Sequence, residues 1–196
     1  GINLERYKMQ PYPKHIRIHF LYLGRIMKEK GIDELFYAVR HLKKENENFV
    51  LDLVGFFEDE YKEQVKELEK HSIAHFYGFQ SDPRPFYIEA DCIVLPSYHE
   101  GMSNVILEAA ATGRPVITSN IPGCRESVEN GKSGLLVEVK NKEMLYDAMK
   151  EMLHCSREER EQMGQAGREK MEREFRKEVV VEKTVQSLRE DEKRDF

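Results

Sequence analysis

The stretch that decides the fold is "DCIVLPSYHEGMSNVILEAAATGRPVIT", residues 91–118. It begins with a continuous apolar run over 91–96, which predicts a strand buried on both faces. After a polar loop, an apolar, alanine-rich run over 104–112 predicts a helix, and 115–118 predicts a further strand. Strand, helix and strand in direct succession are typical of α/β domains with a parallel sheet.

The same alternation extends to both sides of this stretch, where apolar runs predict strands and helical spacing predicts helices. The predicted strands are 16–23, 48–55, 73–78, 91–96, 115–118 and 134–139. The predicted helices are one that carries Leu35, Ala38, Val39 and Leu42, then 61–71 and 104–112, with short ones at 85–90 and 125–129. The pattern predicts an α/β fold, a Rossmann-like doubly wound parallel sheet.

Both ends of the chain depart from this alternation. The polar composition of residues 1–15 predicts an interdomain linker, and residues 16–155 are predicted to form the Rossmann-like domain. After Val139 three helices follow one another without a strand, and the segment 156–190 is predicted to add C-terminal helices to the domain. Residues 191–196 are expected to form a frayed tail.

Composition excludes several classes of protein. The 196 residues are 40% hydrophobic and 34% charged, which fits one globular domain with a helical appendage. A net charge of -5 without a basic stripe argues against nucleic-acid binding. The three cysteines form no close-spaced pair, so neither a disulfide framework nor a metal site is predicted. No apolar run approaches the roughly 20 residues of a membrane span.

Two polar loops are expected to open into one crevice. "GRIMKEKG" (24–31) follows the first strand, and "PSYHEGMSN" (96–104) follows the fourth. Ligands of an open parallel sheet bind beyond the carboxyl ends of the strands, where the strand order reverses. In the common doubly wound order, which the sequence does not itself fix, these two strands are neighbours.

The second loop suits a polyhydroxylated, anionic ligand. Gly101 lets the backbone approach a ligand, and Ser103 or Asn104 can cap a helix whose first N–H groups bind an anion. Glu108, one turn further on, is expected to point back to the crevice and accept two hydroxyl protons, as from a ribose. Glu100 suits a second such group. The alternative is that Glu108 is paired with a structural arginine or with backbone amides.

The first loop supplies the opposite charge. Arg25 and Lys30 stand five residues apart at the strand exit, where they either lie on the surface or bind an anion. Together the two loops predict one site, with cations for a diphosphate and carboxylates for sugars on either side of it.

Four segments of the chain resemble a known family: "LYLGRIMKEKGIDEL" (21–35), "FYGF" (76–79), residues 90–117 and "NGKSGLLVE" (130–138). They are similar to the donor-binding domain of retaining glycosyltransferases of family 4, which is one half of the GT-B architecture. The most specific element is Glu-x7-Glu, which ends at Glu108, followed by Ala-x-Gly-x-Pro-Val. The resemblance covers nearly the whole chain.

The resemblance implies a role for each matching residue. Arg25 and Lys30 would bind the diphosphate and stabilise its charge as it leaves, and Glu100 would contact hydroxyls of the transferred sugar, so these three are the expected catalytic residues. Glu108 would contact the ribose. The full set of expected donor-binding residues is Gly24, Tyr77, Gly78, Phe79, Gly101, Met102, Ser103, Asn104 and Glu108, with 77–79 lining the base. The donor would be UDP- or GDP-linked, and no metal or other cofactor is implied. His99 is expected to be a loop residue beside the donor.

The resemblance also implies a partner. GT-B enzymes carry a second, N-terminal Rossmann-like domain that binds the acceptor, and this sequence lacks one, so the fragment alone is expected to turn over poorly or not at all. Val179, Val180, Val181 and Val185 either meet that domain or pack on this one. The implied location is cytoplasmic, and peripheral association of the full-length protein with the inner face of the membrane stays open.

Two other functions fit the same fold. A nucleotide-sugar epimerase shares the architecture and the donor class. A non-catalytic nucleotide-binding domain is the second alternative, but it would not need two cations and two carboxylates together. A nicotinamide dehydrogenase is disfavoured, because no Gly-x-Gly-x-x-Gly follows the first strand.

Overall fold

The computed structural model describes the backbone of residues 1–194 and their side chains, except those of residues 59, 183 and 187–194. A six-stranded parallel sheet forms the centre, in the order β3-β2-β1-β4-β5-β6. The strands are β1 Ile18–Leu23, β2 Phe49–Val54, β3 Ala74–Phe76, β4 Cys92–Leu95, β5 Val116–Ser119 and β6 Gly134–Val137. The order reverses at β1 and β4, so the doubly wound order assumed from the sequence is the observed one.

The helices connect these strands and continue beyond the last. They are α1 Ile32–Lys44, α2 Lys62–Lys70, α3 Arg84–Glu89, α4 Asn104–Thr112, α5 Lys142–His154, α6 Arg157–Lys170 and α7 Lys177–Arg194. Single 3-10 turns lie at Lys28–Lys30, Asp59–Tyr61 and Arg125–Ser127, and a π-helical turn at Met171–Phe175 follows α6. The sheet core is apolar: Phe20, Ile93 and Ile117 are fully buried.

The segment 1–15, predicted as a polar interdomain linker, packs on the domain. Four of its side chains, Ile2, Leu4, Tyr7 and Tyr12, are buried, and exposed polar residues lie between them. Three arginines also hold its backbone carbonyls. The pairs are Arg114 with Gln10 and Pro11, Arg157 with Tyr12 and Pro13, and Arg168 with Tyr7.

The C-terminal helices follow one another as predicted, and α7 continues to Arg194, into the segment 191–196 that was expected to be frayed. Residues 195 and 196 lie outside the described residues. On α7, Val181 and Val185 are 54% and 40% exposed. No helix among residues 1–194 is long and apolar enough to cross a membrane.

Candidate functional site

A cleft of about 310 Å³ opens at the carboxyl ends of β1 and β4, where the strand order reverses. It contains most of the residues that the sequence assigned to a site. Its lining is Leu23, Gly24, Arg25, Lys30, Leu95, Glu100, Met102, Ser103, Asn104 and Val105. The three expected catalytic residues are therefore neighbours in space.

The main charged contact in the cleft joins the two loops. Lys30 Nζ donates to Glu100 Oε1 at 2.6 Å, with the two side chains 28% and 15% exposed. Arg25 is exposed, and within the part of the chain that the structure describes no ion pair involves it. Its carbonyl oxygen accepts a hydrogen bond from the hydroxyl of the buried Tyr22 at 2.5 Å. The backbone at Arg25 is thus fixed while its guanidinium is available to an anion.

Close backbone packing locks the two loops together. Gly31 has φ 72°, and a Cβ there would lie 2.1 Å from the carbonyl oxygen of Pro96. The backbone N–H of Tyr98 donates to the carbonyl of Glu29 at 2.8 Å, and its hydroxyl donates to the Glu34 carboxylate at 2.9 Å. These contacts hold Lys30 and Glu100 at their short separation, and sequence reasoning missed them.

A third segment, which follows β5, packs against the acidic loop, residues 96–104, which carries Glu100. Gly123 has φ 88°, and a Cβ there would lie 1.9 Å from the carbonyl oxygen of Gly101. Its carbonyl accepts from Ser103 N–H at 3.3 Å, and its N–H donates to Glu126 at 2.7 Å. In the sequence, this contact is indicated only by a turn-forming Pro-Gly dipeptide within "NIPGCRE" (120–126).

The N-terminus of α4 faces the same cleft. Ser103 is the N-cap residue, yet its side chain accepts no hydrogen bond from the helix. Asn104 is exposed, and nothing lies within 4 Å of a Cβ built at Gly101. The backbone here is open to an incoming group, and the positive end of the helix dipole favours an anion.

Glu108 lies apart from the lining of this cleft, one turn further along α4. It is half-buried, and its Oε2 accepts a hydrogen bond from the hydroxyl of the fully buried Tyr87 at 2.9 Å. Burial and the Glu108 charge raise the pKa of Tyr87 well above its usual value. Burial and the same carboxylate raise the pKa of Tyr7 to about 12. Among the described residues the alternative partners, an arginine or backbone amides, do not hold Glu108: the Tyr87 hydroxyl does, with Tyr7 nearby, and the sequence singled out neither tyrosine.

The segment Tyr77-Gly78-Phe79 follows β3 and lies outside the lining of the cleft. Gly78 has φ 67°, and its carbonyl accepts the N–H of Gly55 at 2.9 Å. Phe79 is 60% exposed and stacks on Phe56, with ring centroids 4.9 Å apart and planes at 7°. Tyr77 is 42% exposed. This end of the sheet thus presents flat aromatic surface, to which Phe56 contributes without having been predicted.

Metal-binding clusters are not found in the described chain: no group of three or more His, Cys, Asp and Glu side chains there is placed to hold an ion. His99 is exposed on the acidic loop. A cavity of about 470 Å³ lies elsewhere, between the N-terminal segment and α3, with Arg6, Tyr7, Asp82, Arg84 and Thr112 in its lining. Its charges are of mixed sign.

The sheet order and the cleft at its reversal define a Rossmann-like half of the GT-B architecture. Residues 8–170 match the family model described as glycosyl transferases group 1, so the chain belongs to this family of glycosyltransferases.

Three relatives illustrate the similarity. The capsular polysaccharide biosynthesis glycosyltransferase CapM of Staphylococcus aureus is 29% identical over 193 residues, covering 93% of this chain and 50% of that protein. The GDP-mannose-dependent alpha-(1-6)-phosphatidylinositol monomannoside mannosyltransferase of Mycobacterium tuberculosis is 28% identical over 213 residues, covering 97% and 54%. The structure of sucrose-phosphate synthase from Thermosynechococcus elongatus superposes with a TM-score of 0.81 at 26% identity, covering 97% and 51%. The chain thus spans about half the length of the curated relatives it matches.

Proposed function

We propose that this chain is the nucleotide-sugar-binding C-terminal half of a retaining glycosyltransferase. The enzyme transfers a hexose from a nucleoside diphosphate sugar to an acceptor in polysaccharide or glycolipid synthesis. One observation carries the proposal: Lys30, Glu100 and the N-terminus of α4 meet in a single cleft, and Arg25 is also part of its lining. The names of the S. aureus and M. tuberculosis relatives support the reaction class and the donor class.

The cations act on the leaving group. Arg25 and Lys30 bind the diphosphate, together with the first N–H groups of α4, and they stabilise the negative charge that develops as the sugar departs. Fixed charges of this kind need little reorganisation during the reaction, and the locked loops supply that fixity. The Lys30–Glu100 pair loosens when the diphosphate competes for Lys30, and this frees a Glu100 oxygen for sugar hydroxyls.

The remaining donor contacts lie along the same edge of the sheet. Glu108 accepts the ribose hydroxyls. The backbone of 77–79 lines the base, and the Phe56–Phe79 stack offers an aromatic face beside it. UDP or GDP is the expected nucleotide, and no metal or cofactor is assigned to the reaction.

The full-length enzyme needs a second domain for the acceptor. We assign the exposed valines of α7 to the contact with that N-terminal domain, so this fragment alone is inactive or nearly so. The enzyme is expected in the cytoplasm, with peripheral association at the inner membrane face when the acceptor is a lipid.

Product analysis of the full-length protein tests the proposal. The protein is incubated with a UDP- or GDP-sugar and candidate acceptors, and the products are resolved by NMR. A glycosylated acceptor with the donor's anomeric configuration is expected. An epimerised donor without transfer would establish the isomerase instead, and tight nucleotide binding without any turnover would establish a binding domain.

A further inference from the structure

Tyr87 is placed as a rigid hydrogen-bond donor. It lies on α3 with no exposed surface, and its carbonyl accepts from the Nε of the buried Arg114 at 2.9 Å. The ring of Tyr7 packs edge-on against it, with centroids 6.2 Å apart. Fixed on both sides in this way, the ring has little freedom to move the hydroxyl.

That hydroxyl meets only one oxygen of Glu108. Oε2 accepts it at 2.9 Å, and no described residue is seen donating a hydrogen bond to Oε1; the Tyr7 hydroxyl lies near the same carboxylate, which helps to raise the Tyr7 pKa. A free carboxylate on a helix samples several rotamers, and fixing it costs side-chain entropy of up to about 2 kcal/mol. A pre-formed bond to one oxygen removes much of that cost before a ligand binds.

The donor to Glu108, the Tyr87 phenol, is neutral, whereas the donor to Glu100 is the charged Lys30. Burial and the Glu108 charge keep the Tyr87 phenol protonated. A neutral donor leaves the full negative charge on the carboxylate, and hydrogen bonds to charged acceptors are the stronger kind. Glu108 is therefore both oriented and charged at the same time.

We infer that Tyr87 is a positioning residue for ribose recognition: its hydroxyl holds Glu108 so that the other carboxylate oxygen accepts the ribose hydroxyls of the donor nucleotide. The inference rests on the proposed ribose role of Glu108. Tyr87 itself does not touch the ligand, so it acts on the ribose part of binding alone and leaves the diphosphate and base contacts as they are.

The test measures one ratio in each protein, the affinity for a nucleoside diphosphate over that for its 2′,3′-dideoxy analogue. The probe is whichever of UDP, GDP and ADP the wild-type chain binds best in calorimetry. Tyr87→Phe removes one oxygen and should lower the ratio roughly three- to tenfold, the effect of one ordinary hydrogen bond. The ratio is insensitive to a partly unfolded sample, because both ligands are measured on the same preparation.

Tyr12→Phe is the matched control. Tyr12 is likewise buried, and its hydroxyl donates at 2.6 Å to the carbonyl of Asp91, not to Glu108. Its ratio should equal that of the wild type. In the Glu108→Gln background, Tyr87→Phe should change the ratio no further, because the carboxylate that it positions is gone.

The outcomes separate the two claims. A lowered ratio in both Glu108→Gln and Tyr87→Phe supports them together. A lowered ratio in Glu108→Gln with an unchanged ratio in Tyr87→Phe overturns the positioning role and leaves the ribose contact standing. An unchanged ratio in Glu108→Gln overturns the ribose contact, and the inference for Tyr87 with it.

Discussion

The two glutamates of the site differ in what holds them. Glu100 pairs with a cation, Lys30, at 2.6 Å, whereas Glu108 accepts from a neutral phenol, Tyr87, at 2.9 Å. An anion that enters the cleft competes with Glu100 for Lys30, while a hydroxyl that reaches Glu108 meets an undiminished charge. The two glutamates thus suit different ligand groups because their hydrogen-bond partners differ in charge.

The first prediction concerns the two cations. Arg25→Ala and Lys30→Ala should each weaken nucleoside diphosphate binding by about tenfold or more, since a charge-assisted hydrogen bond contributes roughly 1.5–3 kcal/mol. Binding of the free nucleoside should hardly change. Calorimetric titrations with both ligands measure the difference. Lys28→Ala is the matched control, because Lys28 is exposed in the same 3-10 turn and does not line the cleft. Equal losses for the two ligands would remove both cations from the phosphate site.

A second residue-scale feature lies on the sheet, away from the cleft. His19 Nδ1 and the buried Asp52 lie 2.7 Å apart, with the His15 ring 4.5 Å from that of His19. The hydrogen bond with Asp52 raises the pKa of His19; burial opposes this, the charges of Asp52 and Asp91 add to it, and Arg17 opposes it. Because the folded pKa exceeds the unfolded one, the pair stabilises the fold fully below about pH 6.5, the ordinary histidine value. The contribution is lost as pH rises through the raised pKa.

The second prediction follows from that sign. Asp52→Asn should lower the pKa of His19 in an NMR titration. The variant should also lose roughly 1.5 kcal/mol of unfolding free energy near pH 5.5, because a hydrogen bond to a charged group is removed. The gap between wild type and variant should shrink on going to pH 9 in denaturant titrations. A gap that widens with pH would mean that His19 is held neutral, contrary to this account.

At the scale of elements, glycines decide how closely the loops approach. Gly31 and Gly123 both take positive φ angles. A side chain at Gly31 would collide with the carbonyl of Pro96, and one at Gly123 would collide with the carbonyl of Gly101. Their absent side chains let three connections, after β1, β4 and β5, converge on one cleft. The site is therefore a property of backbone packing as much as of its charged residues.

The third prediction uses two glycines of similar conformation. Gly123→Ala should shift the Gly101 carbonyl, which would lie 1.9 Å from the new Cβ, and so disturb Glu100. Gly131 also has a positive φ, 76°, but nothing lies within 4 Å of a Cβ built there. Gly131→Ala therefore introduces the same backbone strain without a collision. We expect both variants to lose about 1–3 kcal/mol of stability, and Gly123→Ala alone to lose donor affinity. Similar donor affinity in the two variants would show that the loop tolerates displacement.

Elements with strong local signals could be predicted, and their boundaries less so. The helix expected at 104–112 is α4, Asn104–Thr112, because its apolar run and terminal Gly113 are both local signals. The strand expected at 16–23 begins only at Ile18, since Ile16 is 92% exposed and apolar character alone does not set where pairing starts. The partner of Glu108 lies on another helix, and sequence spacing carries no information on such a contact.

At the scale of the whole molecule, the N-terminus of the chain meets the start of α7. The N–H of Ile2 donates to the carbonyl of Phe175 at 2.8 Å, and the N–H of Lys177 donates to the carbonyl of Ile2 at 3.2 Å. The sequence suggested a polar interdomain linker because 1–15 is rich in polar residues. The segment 1–15 is anchored by arginines that are distant in sequence, such as Arg114. These arginines bind backbone carbonyl groups, which are present in every residue and so leave no sequence signal. No residue pattern within the segment could reveal them.

The last prediction concerns α7, which begins at this junction. Val181 and Val185 are 54% and 40% exposed, an unfavourable arrangement for apolar side chains unless another surface covers them. In a protein that carries the proposed N-terminal domain, backbone amides over 177–186 should exchange with deuterium at least tenfold more slowly than in the 196-residue chain alone. The amides of β4 serve as an internal reference, because this strand is buried and paired on both sides within the described domain, and they should change little. A Val181→Ser, Val185→Ser variant should lose the added protection in the long chain while leaving the fragment's exchange unaltered. If instead 177–186 exchanges at the same rate in both forms, α7 is covered by nothing that the longer chain supplies, and the assignment of the valine face to a second domain fails.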